Sequence, residues 1–320
     1  MRPINPKYPV EFILEFRSVD RFLYRVSDLY RLDKVASEEA LARLDDCHIY
    51  LLGKRPRLSI TPGSVQATAE GVRFVVEYRL RSTTHRSEVE IPRSFLGPDE
   101  IQFEASSYPH RELISYNANG EVLGYTLVAN FVHLMCSVRQ EAKDLEVIYV
   151  GKGVRRSAQD RLENHSTLQR ILAEINSNEP DTEVFSIVYS FQYLKNALAF
   201  KGIPAEIDGG AVQEHNEKAL SVQLSLDEQV SLIEACTISY FQTAEYNMQY
   251  LDFPKRRHQI LRKVYDADFA TLVVQIDNTN IGGQRLYSKT VLPDSTHYIT
   301  VDFRQHEGRQ SVFDQAPHRG

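Results

Sequence analysis

The sequence predicts an α+β fold, and three observations carry this prediction. The apolar run at residues 147–150 is typical of a buried strand, and a glycine turn and a helix starting near Ser157 follow it. Residues 72–80 and 87–91 alternate like antiparallel strands. A third strand is predicted at 183–191, followed by a helix from Ser225 to about residue 241 that opens with a Ser225-x-x-Glu228 capping box.

Length and composition limit the class of protein. A chain of 320 residues predicts two or three domains. No apolar run approaches the roughly 20 residues that a membrane span needs, and the N-terminal residues lack a signal-peptide pattern. The three cysteines, Cys47, Cys136 and Cys236, have no metal-ligand spacing, which favours reduced thiols. Together these features predict a cytoplasmic protein without a membrane partner.

The charge pattern predicts local rather than general binding of nucleic acid. The net charge of −6 argues against a protein that coats nucleic acid. Two basic clusters are nevertheless candidates for phosphate contacts. The first contains Lys152, Arg155 and Arg156, and the second contains Lys255, Arg256 and Arg257.

Chemically active side chains surround the predicted strand–turn–helix unit. Arg161 and His165 stand four residues apart, so both point from one face of the helix. Together with Glu234 and the later Asn247, these residues resemble the GIY-YIG nuclease superfamily over about residues 125–253. Residues 149–151, Tyr-Val-Gly, match the second half of the family's motif, and the other matched positions are Arg161, His165, Glu234 and Asn247.

The resemblance implies a fold, an activity and a cofactor. It implies a small antiparallel sheet flanked by helices at residues 121–254, between a β-rich recognition domain (1–120) and a small β-containing region (255–320) with a disordered tail from Gln310. The implied activity is metal-dependent hydrolysis of DNA phosphodiester bonds, with Mg²⁺ or another divalent cation as cofactor. Restriction or phage defence is the setting that this family analogy favours.

Each matched residue has a chemical role under this hypothesis. Glu234 supplies one carboxylate to Mg²⁺, which keeps most of its waters in proteins. Arg161 offers a planar fork to phosphate oxygens, and Tyr149 accepts a proton from water when a nearby cation favours its phenolate. His165 relays a proton or binds phosphate. Asn247 holds the end of the Glu234 helix or the metal-bound water.

The first half of the family motif is the clearest departure. Residues 122–138 are apolar enough for one helix or for one or two strands, and residues 131–133, Phe-Val-His, lie where Gly-Ile-Tyr is expected. His133 would then replace the first tyrosine on a strand beside Tyr149, as an imidazole that also accepts a proton. Tyr125, which follows Gly124, is the rival occupant.

Two other classes of function stay open at this point. The chain could be a non-catalytic nucleic-acid-binding protein with a degenerate version of the fold, or a structural protein whose likeness is accidental. Arg161, Glu234 and Asn247 together favour the enzyme, because a binding module has no need of the glutamate. The sequence does not determine the oligomeric state, and a homodimer is one of the states that stay open.

Overall fold

A computed structural model describes residues 7–31, 37–153, 166–199, 208–255 and 258–303. Its strands, in chain order, are β1 (Val10–Arg25), β2 (Ile49–Pro56), β3 (Ser59–Ile60), β4 (Gln66–Ala67), β5 (Gly71–Leu80), β6 (Thr83–Pro92), β7 (Gln102–Ala105), β8 (Glu112–Tyr116), β9 (Val122–Leu127), β10 (Leu145–Lys152), β11 (Thr182–Ala199), β12 (Thr271–Asp277), β13 (Leu286–Tyr287) and β14 (Thr296–Asp302). The helices are α1 (Glu38–Asp45), α2 (Ser166–Asn178), α3 (Gly209–Ser221), α4 (Leu226–Phe241) and α5 (Arg262–Asp266).

The main sheet has seven strands in the order β13-β10-β2-β11-β1-β12-β14. Strands β10, β2, β11 and β1 pair antiparallel in turn, and β14 pairs antiparallel with β12. The pairs β1–β12 and β10–β13 are parallel, so the sheet is mixed. The prediction of a small antiparallel sheet flanked by helices is therefore wrong. The large sheet takes strands from all three of the segments that the sequence predicted as separate domains.

The size of this sheet comes mainly from two long strands. β1 has 16 residues and β11 has 18, and they pair from Val10 opposite Ala199 to Arg25 opposite Phe185. The register shifts between Ser18 and Arg21. That irregularity interrupts the period-2 alternation by which a strand is recognised in sequence, so the sequence of β1 carries no single strand pattern.

Two small sheets lie between β2 and β10 in the chain. One contains β3, β4, β5 and β6, and the other has the order β7-β8-β9. The strands predicted at 72–80 and 87–91 are confirmed as β5 and β6. Residues 131–133 do not form a strand, because they belong to a 3₁₀ helix, Val128–Leu134.

Helices cover both faces of the main sheet around β10 and β2. On one face, α4 packs Val230, Ile233 and other apolar residues against Ile49, Leu51 and Val150. On the opposite face, Leu168, Ile171 and Ile175 of α2 share a core with Tyr50 and Ile148, which Leu44 of α1 also joins. The strand end that carries the predicted Tyr-Val-Gly motif is thus enclosed between two helical layers.

Helix α4 begins as its sequence predicts. The Ser225 side chain accepts a hydrogen bond from the Glu228 backbone N–H, and the Glu228 carboxylate accepts one from the Ser225 N–H. This reciprocal cap satisfies two donors that would otherwise lack partners at a helix start. Before this helix, β11 continues to Ala199 and α3 begins at Gly209. Among the described residues, no helix is long and apolar enough to cross a membrane. The tail from Gln310 lies outside them.

Candidate functional site

The last four residues of β10 form the centre of the candidate site. Tyr149 lies opposite Leu52 of β2, Gly151 opposite Tyr50, and Lys152 opposite Ile49. The register shifts between Val147 and Tyr149, and such bulges change the face to which the following side chains point. As a result Tyr149 joins the core on the α2 face, whereas Val150 belongs to the core beneath α4.

Tyr50 is the tyrosine that lies beside Tyr149. Their ring centroids are 6.0 Å apart with an interplanar angle of 36°, and Tyr50 is fully buried while Tyr149 is half-buried. Gly151 makes this approach possible. A Cβ at position 151 would lie 2.4 Å from Cζ and Oη of Tyr50 and 2.9 Å from Cε1 of Tyr149. The glycine is therefore required by lack of space and not by an unusual backbone angle.

The structure does not place His133 where the first tyrosine of the family motif is expected. His133 is exposed on its 3₁₀ helix, with its ring edge-to-face against Phe95 at 6.2 Å, and it does not lie on a strand beside Tyr149. The rival, Tyr125, is 64% exposed on β9 in a separate three-stranded sheet. The strand that pairs with β10 is β2, and it carries Ile49-Tyr50. The expectation that His133 lies on a strand beside Tyr149 is thus wrong, and the tyrosine that lies beside Tyr149 is Tyr50.

Asn247 binds the backbone of β10. Its Oδ1 accepts hydrogen bonds from the Val150 N–H at 3.0 Å and from Oγ1 of Thr243 at 2.8 Å. Its Nδ2 donates to the Val150 carbonyl at 2.9 Å. The buried amide thus pairs with both backbone groups of Val150, as a neighbouring strand would. The predicted contact of Asn247 with a helix end is replaced by this contact with the strand.

Lys152 and Glu234 meet on the face of the main sheet that α4 covers, opposite to the face of Tyr149. The ammonium of Lys152 lies 3.7 Å from Oε2 of Glu234 and 3.7 Å from Oδ1 of Asp227, and it donates to Oγ of Ser231. Positions 227, 231 and 234 follow one face of α4, at helical spacings of four and three. Burial raises the pKa of Tyr250, and the nearby carboxylates of Glu234 and Asp227 raise it further.

Several predicted site residues lie outside the described part of the chain. They are Arg155, Arg156, Arg161, His165, Arg256 and Arg257. Lys255 is described, and its ammonium pairs with Oδ2 of Asp252 at 2.6 Å. Both described lysines of the predicted basic clusters therefore face carboxylates.

The carboxylates around Lys152 fit a single cation. Within the described ranges, no group of three or more His, Cys, Asp or Glu side chains is placed to hold a metal. Mg²⁺, however, commonly uses only one or two protein carboxylates and fills its other positions with water and phosphate. Glu234 is largely buried, with 14% of its side chain exposed, and it already faces an ammonium together with Asp227. Glu234 and Asp227 are therefore the candidates to hold a cation at this end of β10, where the Lys152 ammonium now faces them.

Comparison with known proteins adds no relative. No family model matches the chain, no curated protein is significantly similar to it, and no solved structure resembles it.

Gly151→Ala tests the packing of the two tyrosines. We expect the free energy of unfolding to fall by about 1–3 kcal/mol, the usual cost of overpacking a filled core, because the new methyl group displaces the buried ring of Tyr50. Urea unfolding of the two proteins measures the difference. Gly209→Ala is the matched control, since a Cβ there meets nothing within 4 Å. Equal stability of Gly151→Ala and the unmodified protein would contradict the packing described here.

Proposed function

We propose that the protein is a divalent-metal-dependent endonuclease that hydrolyses DNA phosphodiester bonds. The observation that carries this proposal is the contact between the Lys152 ammonium and the Glu234 carboxylate on the α4 face of the main sheet, at the end of β10. Tyr50 and Tyr149 pack together on the opposite face of the same strand end, and Asn247 binds the backbone of β10 at Val150. Phosphodiester hydrolysis requires groups of these types, because charge builds on the phosphorus centre and a water must lose a proton.

Glu234 is the residue that would hold the metal. When bound, a divalent cation stabilises negative charge on the phosphate oxygens and the leaving oxygen. The carboxylate of Glu234 is held in a largely buried position on α4, close to the end of β10. Lys152 keeps positive charge beside it. We assign Arg161, whose fork of donors suits phosphate oxygens, to the phosphate itself.

The two tyrosines take different roles in this proposal. Tyr50 has no exposed surface, so it supports the neighbouring ring. Tyr149 is half-buried on the face of the sheet opposite to Glu234, so we assign it to fixing the end of β10 rather than to contacting the water at the metal.

The second candidate, a nucleic-acid-binding protein without catalysis, explains the charges less well. Lys152 and Lys255 both face carboxylates, which weakens their attraction for phosphate. A protein that only binds gains nothing from a glutamate and an aspartate beside its lysine. An enzyme that binds a metal has a use for both carboxylates, and for this reason we favour the nuclease. We place such an enzyme in the cytoplasm, acting in restriction or phage defence, on the family resemblance alone.

Metal removal tests the proposed activity. Supercoiled plasmid and single-stranded circular DNA are each incubated with the protein in Mg²⁺, in excess EDTA, and in EDTA followed by excess Mg²⁺. We expect nicked or linear products with Mg²⁺, none with EDTA, and recovery when Mg²⁺ is restored. A gel-shift assay on the same samples measures binding. Binding without cleavage in every metal condition would favour the second candidate, and neither binding nor cleavage would contradict both.

A further inference from the structure

His48 lies at the start of β2, directly beside the end of β10. The His48 N–H donates to the Tyr189 carbonyl at 3.1 Å, and the His48 carbonyl accepts from the Gly153 N–H at 2.9 Å. His48 thus extends β2 by one residue, between the neighbouring strands. Its backbone position is determined on both sides.

The imidazole of His48 has a defined tautomer when it is neutral. Its Nδ1 lies 2.9 Å from the Gly153 carbonyl oxygen. A carbonyl oxygen accepts hydrogen bonds but cannot donate them, so Nδ1 carries the hydrogen. The lone pair of the neutral ring therefore lies on Nε2. A histidine oriented through one nitrogen by a backbone carbonyl is the usual arrangement when the other nitrogen transfers a proton.

His48 also lines a cavity of about 520 Å³ beneath the start of α4. Leu226, Val230 and Ile233 of α4 form the apolar wall of this cavity, and Ile49 contributes from the sheet. The space is sufficient for a nucleotide-sized group, since ligand pockets typically measure about 300–1,000 Å³.

Two connections link this cavity to the Lys152–Glu234 pair. Gly153, which accepts the hydrogen bond from the His48 ring, follows Lys152 directly. Ile233, which lines the cavity, precedes Glu234 directly on α4. The cavity that His48 lines is therefore bounded by the strand and the helix that carry Lys152 and Glu234.

We propose that His48 is the catalytic base of the nuclease, a role that rests on the function proposed above. Nε2 accepts a proton from the attacking water as the water oxygen forms its bond to phosphorus. The phosphorus–oxygen ester bond then breaks, and its electron pair stays on the leaving oxygen. That oxygen takes a proton from solvent, and the imidazolium returns its own proton to solvent, so the site is restored.

Few charged groups in the described part of the chain surround His48. The charged groups at the cavity are Asp20 and Asp46, and Asp20 is bound by Arg43 and by Ser190. Burial raises the pKa of Tyr189, which stays protonated. The α4 residues that line the cavity carry no charge. Histidine is the side chain that most often serves as a general base in enzymes.

Two substitutions test the role of Nε2. His48→Asn keeps an N–H donor near the Nδ1 position but removes Nε2. His48→Gln is a second variant that removes the imidazole. We expect both variants to lose about 100-fold in cleavage rate at pH 7, the lower end of the usual contribution of a general base. Because a protonated imidazole cannot accept a proton, wild-type cleavage should fall at acid pH, and this acid limb should be absent from the residual activity of both variants.

His110→Asn is the matched control. Its Nδ1 also donates to a backbone carbonyl, that of Ser106 at 2.6 Å, in the N-terminal part of the chain. We expect this variant to keep the wild-type rate and acid limb. If His48→Asn keeps both as well, His48 is only a structural donor to Gly153 and the proposal is overturned. If neither His48 variant folds, the pH profile of wild-type cleavage tests the proposal, and a profile without an acid limb overturns it. Active wild type with inactive Glu234→Gln supports the nuclease in either case, whereas an inactive wild type overturns both proposals.

Discussion

Glu234→Gln is expected to reduce Mg²⁺-dependent cleavage on the order of a thousandfold, the loss typical of removing a group that stabilises transition-state charge. The substitution keeps the shape of the side chain but removes the negative charge that would hold the metal. Lys152 keeps its contacts with Ser231 and Asp227, so the end of β10 should stay in place. Cleavage rates on plasmid DNA and a gel-shift assay measure catalysis and binding separately.

The control for this substitution is Glu217→Gln, on the exposed side of α3. Glu217 accepts a hydrogen bond from Gln213 one turn earlier and has no contact with β10. We expect it to cleave at the wild-type rate. Full activity of Glu234→Gln would exclude Glu234 as the metal ligand, and loss of DNA binding together with cleavage would mean that Glu234 organises the binding surface instead.

Asn247→Leu is expected to lower the free energy of unfolding by about 3 kcal/mol, because it leaves two buried backbone groups without partners. Those groups are the N–H and the carbonyl of Val150, which both bind the Asn247 amide. Leucine has a similar volume, so the loss reports the hydrogen bonds rather than a cavity. Urea unfolding measures the effect, and cleavage should fall with it because β10 loses its partner beside Tyr149.

Asn176→Leu is the matched control for the amide. Asn176 is exposed in α2, and leucine is a good helix former, so its stability should equal or slightly exceed that of the wild type. An equally small effect at position 247 would show that water replaces the amide at Val150.

Local patterns predicted the elements that carry the site. The strand at 147–150 and the capped helix from Ser225 are both present, as β10 and α4. Each depends on signals within about ten residues, namely apolar periodicity, glycine breaks and a capping box. These signals act on the chain before it folds, which is why they can be recognised without knowledge of the tertiary structure.

Such local signals could not predict which strands pair with each other. The first tyrosine was expected shortly before Tyr149, because the resemblance places the two half-motifs close together. The chain instead forms two small sheets at residues 57–144, and β10 then returns to pair with β2. The sequence signal that could have indicated Tyr50 is the pair Ile49-Tyr50 in an apolar run, although it lies far from Tyr149 in the chain.

The sequence by itself was enough to single out Tyr149, Gly151, Glu234 and Asn247 as candidates, from their types and order. The tertiary structure alone decided their partners. It placed Tyr50 over Gly151, turned Lys152 toward Glu234 and bound Asn247 to Val150. The physical reason is that helix caps and strand periodicity depend on neighbours in the chain. Strand order and register depend on which faces can be buried together, and that is settled only when distant segments meet.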